Sequence, residues 1–314
     1  MEGGGTSLHF CLRGIFMGLR LSNKHLTIAF KDLGGELTSI KDADGLEYLW
    51  QGDATYWGGQ APLLFPICGS LREDEAYYPE NGKGLEKGSM PRHGLVRKCH
   101  FKGEQVSQNE VVYTLESTDE MYASFPYRFQ ISSRYILQDK TIRISYEVTN
   151  KEGTVRMPFT LGGHPGFNCP LLTNEAYEDY YLQFEKPETL TVPRVFPETG
   201  LVDLDDRSPF LENADKLELT YDLFKEDTLV LDRLESQTIS LRSKNHDKGL
   251  NLHLGDFPFL VVWSTANKGP FVALEPWLGM STSKNETDYF DKKINTQWLE
   301  PGESKAYAFS IEIL

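Results

Sequence analysis

Three short stretches carry residues able to move protons. In Gly162-Gly163-His164-Pro165-Gly166-Phe167-Asn168 an imidazole sits among glycines and a proline, directly after the strand-like run Met157–Leu161. Glycine lets a ligand approach the backbone closely and proline stiffens the turn. A side chain that titrates near neutrality is thereby presented on a rigid loop at a strand end. Met90-Pro91-Arg92-His93-Gly94-Leu95-Val96 repeats that construction around His93, again as if leading into a strand. A single such histidine reads as a solvated turn; two in matched settings point to function. Glu275 is the only charge in the apolar run Phe271–Met280. Lost solvation raises a carboxyl's pKa toward neutrality, which makes it a usable base.

Other candidates are more equivocal. Asp227 opens the run Thr228–Leu231 and is placed to accept hydrogen bonds from hydroxyls, although a solvated acidic turn explains it equally well. Ala61–Arg72 is an apolar stretch ending in a cation, and on its own reads as a core strand running out to a solvated Arg72. Trp263 and Trp277 can stack on sugar C–H faces, but core packing is the commoner role. There is no G-x-S-x-G elbow, no phosphate-cradling glycine loop, no H-E-x-x-H and no pair of histidines one residue apart on a strand. Two histidines and a glutamate on separate strand ends remain, a set suited to proton transfer between heteroatoms, with neither metal nor covalent nucleophile.

The elements that must position them are strands. Tyr127, Phe129, Ile131, Ser133, Tyr135 and Leu137 alternate with Arg128, Gln130, Ser132 and Arg134, and after a turn at Gln138–Lys140 Ile142, Ile144, Tyr146 and Val148 alternate with Arg143, Ser145, Glu147 and Thr149. That pattern predicts a long antiparallel hairpin with one buried face. Asp44-Gly45 marks another hairpin turn. Helical periodicity is nearly absent, with Asn213–Leu219 the one stretch that suggests a turn of helix. About fifteen such strands require two large sheets packed face to face. The fold expected is therefore all-β, a large antiparallel β-sandwich with an open cleft, formed as one domain over residues 19–314. Residues 1–18, opening with Gly3-Gly4-Gly5 and lacking a basic start, read as a leader foreign to that domain, not a signal peptide.

Charge and cysteines narrow the setting. A net charge of −14 argues against nucleic acid and anionic membrane surfaces, and weakly disfavours phosphorylated substrates unless a local basic pocket overrides the field. No run approaches the ~18 apolar residues of a membrane span. Cys11, Cys68, Cys99 and Cys169 have no metal-like spacing and read as free thiols of a reducing, cytoplasmic compartment.

Pro91-Arg92-His93-Gly94, Gly163-His164-Pro165-Gly166-Phe167-Asn168 and Glu275-Pro276-Trp277 occur in the order and at about the separations of the aldose 1-epimerase (galactose mutarotase) superfamily, most closely its LacX-like branch. Glu47–Asp53, Ala61–Ile67 and Leu299–Glu303 support the resemblance, which runs from about Leu19 to Leu314. The resemblance implies a mutarotase sandwich with an open sugar-binding cleft, no cofactor, a hexose as the small-molecule partner, and a monomer or homodimer. It implies Glu275 as the base for the anomeric hydroxyl and His164 as the acid for the ring oxygen. It further implies His93 and Asp227 as substrate-binding groups.

One departure concerns the site's arginine. The resemblance places arginine directly after Gly69, but this chain has Ser70 there and Arg72 two positions on. In an extended segment an offset of two keeps the same face, so Arg72 is expected to reach the site. Two alternatives to a mutarotase follow: a carbohydrate-binding sandwich without turnover, and an epimerase of hexose 6-phosphates. The second needs extra cations in the cleft, for which Arg72, Arg92 and Arg97 are available.

Overall fold

The computed structural model describes residues 18–79 and 86–314; the expected leader and Cys11 fall outside the described residues, apart from Gly18. Among the described residues there are twenty-two strands and a single α-helix, Asp119–Ser124. The helix is announced by Thr118, whose hydroxyl accepts the Met121 N–H, and by two acids in its first turn. Asn213–Leu219 is not helical: it lies largely within the edge strand Leu201–Glu218.

The fold is an all-β sandwich, as the two-residue period requires. A nine-stranded antiparallel sheet contains the hairpin Phe129–Gln138/Thr141–Asn150, flanked by the central strand Ser304–Ile313 and by Glu110–Glu116. The hairpin pairs Ile142 with Leu137 and Tyr146 with Ser133, and its alternate residues are buried. A smaller sheet runs in the order Thr228–Leu231, Phe259–Trp263, Phe271–Trp277, Gly162–Gly163, Leu63–Leu64, with Gly166–Asn168 also pairing the Phe271–Trp277 strand. Side chains from both sheets, among them Ile131, Ile144 and Phe309 on one and Val262 and Leu274 on the other, form one apolar core.

The other face of the smaller sheet carries the site. Leu64, Val230, Val261 and Trp277 alternate with core residues along their strands and form a second, smaller cluster. The tip of the long hairpin Tyr180–Phe196/Leu201–Glu218 adds Val195 and Val202 to it, so that the outer face becomes a roofed hollow. Glu275 pairs with Val261 and therefore points to that hollow instead of the core.

Candidate active site

The chain places His164 beside Glu275 by strand register. Gly162 pairs with Trp277 and Gly166 with Ala273, so His164-Pro165 bows out between two short strands bonded to the same partner. The Leu274 N–H donates to the Pro165 carbonyl and the His164 N–H to the Pro62 carbonyl. The imidazole Nε2 then lies 3.3 Å from the Glu275 Oε2. His164 is 6% exposed and Glu275 1%, so both titrate in an apolar setting. Burial pushes the Glu275 carboxyl well above its ordinary range; the Trp277 indole N–H offsets part of this from just outside hydrogen-bond geometry, and the Asp227 charge adds to it. Burial drives His164 the other way, down to about 3. Its ring stacks on Trp57 at 4.6 Å and 23° and meets Trp263 edge-on at 5.6 Å. Among the described residues the His164 Nδ1, Glu275 Oε2 and Trp277 Nε1 atoms are buried without hydrogen-bond partners. Three such atoms in one place are costly unless something polar binds between them.

His93 and Asp227 close on the same space. The His93 N–H donates to the Gly69 carbonyl at 2.7 Å, while its Nδ1 accepts the Gly69 N–H at 3.2 Å. That bond assigns the ring proton of neutral His93 to Nε2, which makes this nitrogen a donor. No strand follows His93, contrary to the sequence pattern. It occupies a turn with φ +69°, and Gly94 beside it (φ +77°) is obligatory, since a Cβ there would meet the Phe65 carbonyl oxygen at 2.1 Å. Asp227 is held at φ +82°. Such conformations cost of order 1–3 kcal/mol in a non-glycine residue and persist where the surroundings fix them. Burial raises the Asp227 carboxyl, against the Arg92 charge that lowers it. His164, Glu275, His93 and Asp227 all line one cavity of about 230 Å³.

Arg72 does not join them. Leu71 is extended as expected, but Arg72 itself opens the short turn Arg72–Asp74, so the chain leaves the extended path at the residue that was to reach the site. The Arg72 guanidinium is carried instead to the Ser283–Asp288 loop, where it donates to the carbonyls of Ser283, Lys284 and Glu286 and pairs with Asp288. Its place is structural: Arg72→Met is expected to lower unfolding stability by about 2 kcal/mol, the worth of a charged hydrogen-bonding group. A denaturant midpoint equal to wild type would reject that assignment.

The cations of the cavity are Arg92 and Arg97, two of the three that the sequence offered for a cleft. Arg92 Nε donates to Ser70 Oγ at 2.8 Å, so the serine standing at the expected arginine position anchors an arginine from another loop. Its Nη1 lies 3.7 Å from Asp227 Oδ2, and its Nη2 packs on Gly200 so closely that a Cβ at Gly200 would lie 2.0 Å away. Trp57, which the sequence did not announce, arrives from the loop before the Leu63–Leu64 strand. Trp263 and Trp277 line the cavity as well.

The sandwich has solved structural counterparts. The galactose mutarotase related enzyme of Lactobacillus acidophilus superposes with a TM-score of 0.87 at 29% identity, covering 95% of this chain and 97% of that one. A galactose mutarotase-like protein of Lactobacillus casei gives 0.83, also at 29% identity, over 95% and 100% of the two chains. The architecture is thus galactose mutarotase-like. In sequence, the chromosomal protein LacX of Lactococcus lactis subsp. lactis is 49% identical over 298 residues, 95% of this chain and 100% of that protein. The aldose 1-epimerase family profile matches residues 17–311, and the chain belongs to that family.

Proposed function

We propose that this protein is a mutarotase, interconverting the α and β anomers of a hexose by general acid–base ring opening. The observation that carries the reading is the 3.3 Å approach of His164 Nε2 to Glu275 Oε2 at the wall of one cavity. The hydroxyl oxygen O1 and ring oxygen O5 of a pyranose share the anomeric carbon, so an acid and a base that touch each other can address both. Glu275 takes the O1 proton as the C1–O5 bond breaks, and the protonated His164 delivers a proton to O5. The open-chain aldehyde turns about C1–C2, and reclosure on either face returns both protons. His93 Nε2–H and the Asp227 carboxylate hold ring hydroxyls, and Trp263 supplies an apolar face for C–H groups.

The test is polarimetry on freshly dissolved α-D-glucose and α-D-galactose, with anomeric exchange followed by NMR. Catalytic amounts of protein should speed the approach to equilibrium rotation in proportion to their concentration. A protein that shifts the sugar resonances without speeding exchange would be a carbohydrate-binding sandwich, and the mutarotase reading would fall.

A further inference from the structure

Of the three buried polar atoms left without partners at the site, the acid–base chemistry uses the His164 and Glu275 side chains and leaves the Trp277 indole N–H unassigned. Trp277 stands two residues after Glu275 in the strand Phe271–Trp277, so the pleat sends both side chains to the cavity. Its ring is seated on Gly162, the residue paired with it across the sheet. A Cβ at Gly162 would lie 2.7 Å from the indole Cδ1, the carbon bonded to the N–H. His93 meets the same ring edge-on at 5.7 Å. An indole N–H can only donate, and when buried it usually finds an acceptor. The His93 Nδ1 is already taken by the Gly69 N–H, whereas Glu275 Oε2 makes no hydrogen bond among the described residues. Against the burial that favours the neutral acid, the indole N–H favours the charged form of Glu275.

The other groups able to carry charge around Glu275 are His164, His93, Asp227, Arg92, Arg97 and the buried Cys68 thiol. His164 must release its proton during the reaction, and the Asp227 charge opposes ionisation of Glu275. A donor that keeps its hydrogen throughout can hold the carboxylate while the proton moves, and the indole is such a donor. Resting on the mutarotase reading for its site, we propose that Trp277 is a positioning residue: its indole N–H, seated by Gly162, donates to the ionised Glu275 carboxylate and keeps it aimed at O1. The bond is strongest on the base form and loosens once the O1 proton arrives, because a carboxylate accepts more strongly than a carboxylic acid.

Two measurements test this. With 15N-labelled tryptophan, Trp277→Phe identifies its signal among the five indole N–H resonances. In the His164→Asn variant, where Glu275 titrates without its partner, that resonance should move with pH as the carboxyl ionises, and should cease to do so when Glu275→Gln is added. For activity, Trp277→Phe keeps an apolar ring and removes only the N–H. Its kcat/KM near neutrality should fall about 10- to 100-fold, the worth of a hydrogen bond to a charged group. Losing a donor to the charged form also raises the pH at which the His164–Glu275 pair releases its proton, by about one to two pH units. The deficit should therefore shrink along the alkaline arm, where the wild type declines first. A role in packing alone would lower the rate equally at every pH. That outcome, or an indole resonance indifferent to Glu275, overturns the proposal. A resonance that follows Glu275 in a protein whose wild type speeds no anomeric exchange would instead sink the mutarotase reading and leave the Trp277–Glu275 contact standing.

Discussion

Glu275→Gln is expected to lower kcat for anomeric exchange by about 10²–10⁴-fold, the usual worth of a positioned general base, while KM changes little. The amide keeps the shape of the carboxyl but has no basic oxygen for the O1 proton. Folding should not suffer. Burial already favours the uncharged form of this group strongly, so a neutral amide removes the cost of ionising it there. Its neighbours in the Phe271–Trp277 strand are paired through the backbone and are untouched by the change. The loss should therefore fall on the chemical step, corresponding to about 3–5 kcal/mol of transition-state stabilisation. Exchange NMR over a range of sugar concentrations separates kcat from KM, and a thermal midpoint at or above wild type excludes misfolding. A variant exchanging at the wild-type rate would remove Glu275 from the chemistry.

How much of this was legible depended on whether the signal was local. The Phe129–Asn150 hairpin was plain because a one-sided strand must alternate, and its alternation ran unbroken on both arms. Glu275 stood out because a lone acid in an apolar run has few reasons to be there. The convergence of His164 and Glu275 was not written locally: it comes from two short strands pairing one partner on either side of His164-Pro165. Arg72 was misplaced because the same-face argument needs the extended path to continue through it, and a turn without a glycine to announce it begins at Arg72 itself. Asn213–Leu219 misled because it is an exposed sheet edge broken by a register shift, where a two-residue period has no buried face to enforce it. Arg92 and Arg97 were among the cations the sequence offered for a cleft and do line the cavity, whereas Trp57 reaches it from a loop, where neither period nor propensity applies. The acidic composition pointed away from anions, but a net charge describes the far field, whereas the field in a hollow is set by the few groups at its wall.

His164→Asn is expected to reduce kcat by about 10²–10³-fold and, more tellingly, to reverse the alkaline arm of the pH profile. In the wild type the His164–Glu275 pair titrates as a unit, so the active state is the one carrying a single proton, on the imidazole during catalysis while the carboxylate is free. Because burial lowers His164 to about 3, a second proton joins the pair only in strong acid, and activity should fall there. Because burial raises Glu275 well above its ordinary value, the pair's one proton is retained past the usual carboxylate range and leaves only as pH rises through that raised value, giving an alkaline fall. The wild-type profile of kcat/KM is thus a broad bell. In His164→Asn there is no acid to lose, and the remaining activity depends only on Glu275 being ionised. Its residual rate should therefore climb with pH through the raised Glu275 value, where the wild type declines. A variant that keeps the wild-type bell at reduced height would mean that the proton reaching the ring oxygen comes from some group other than His164.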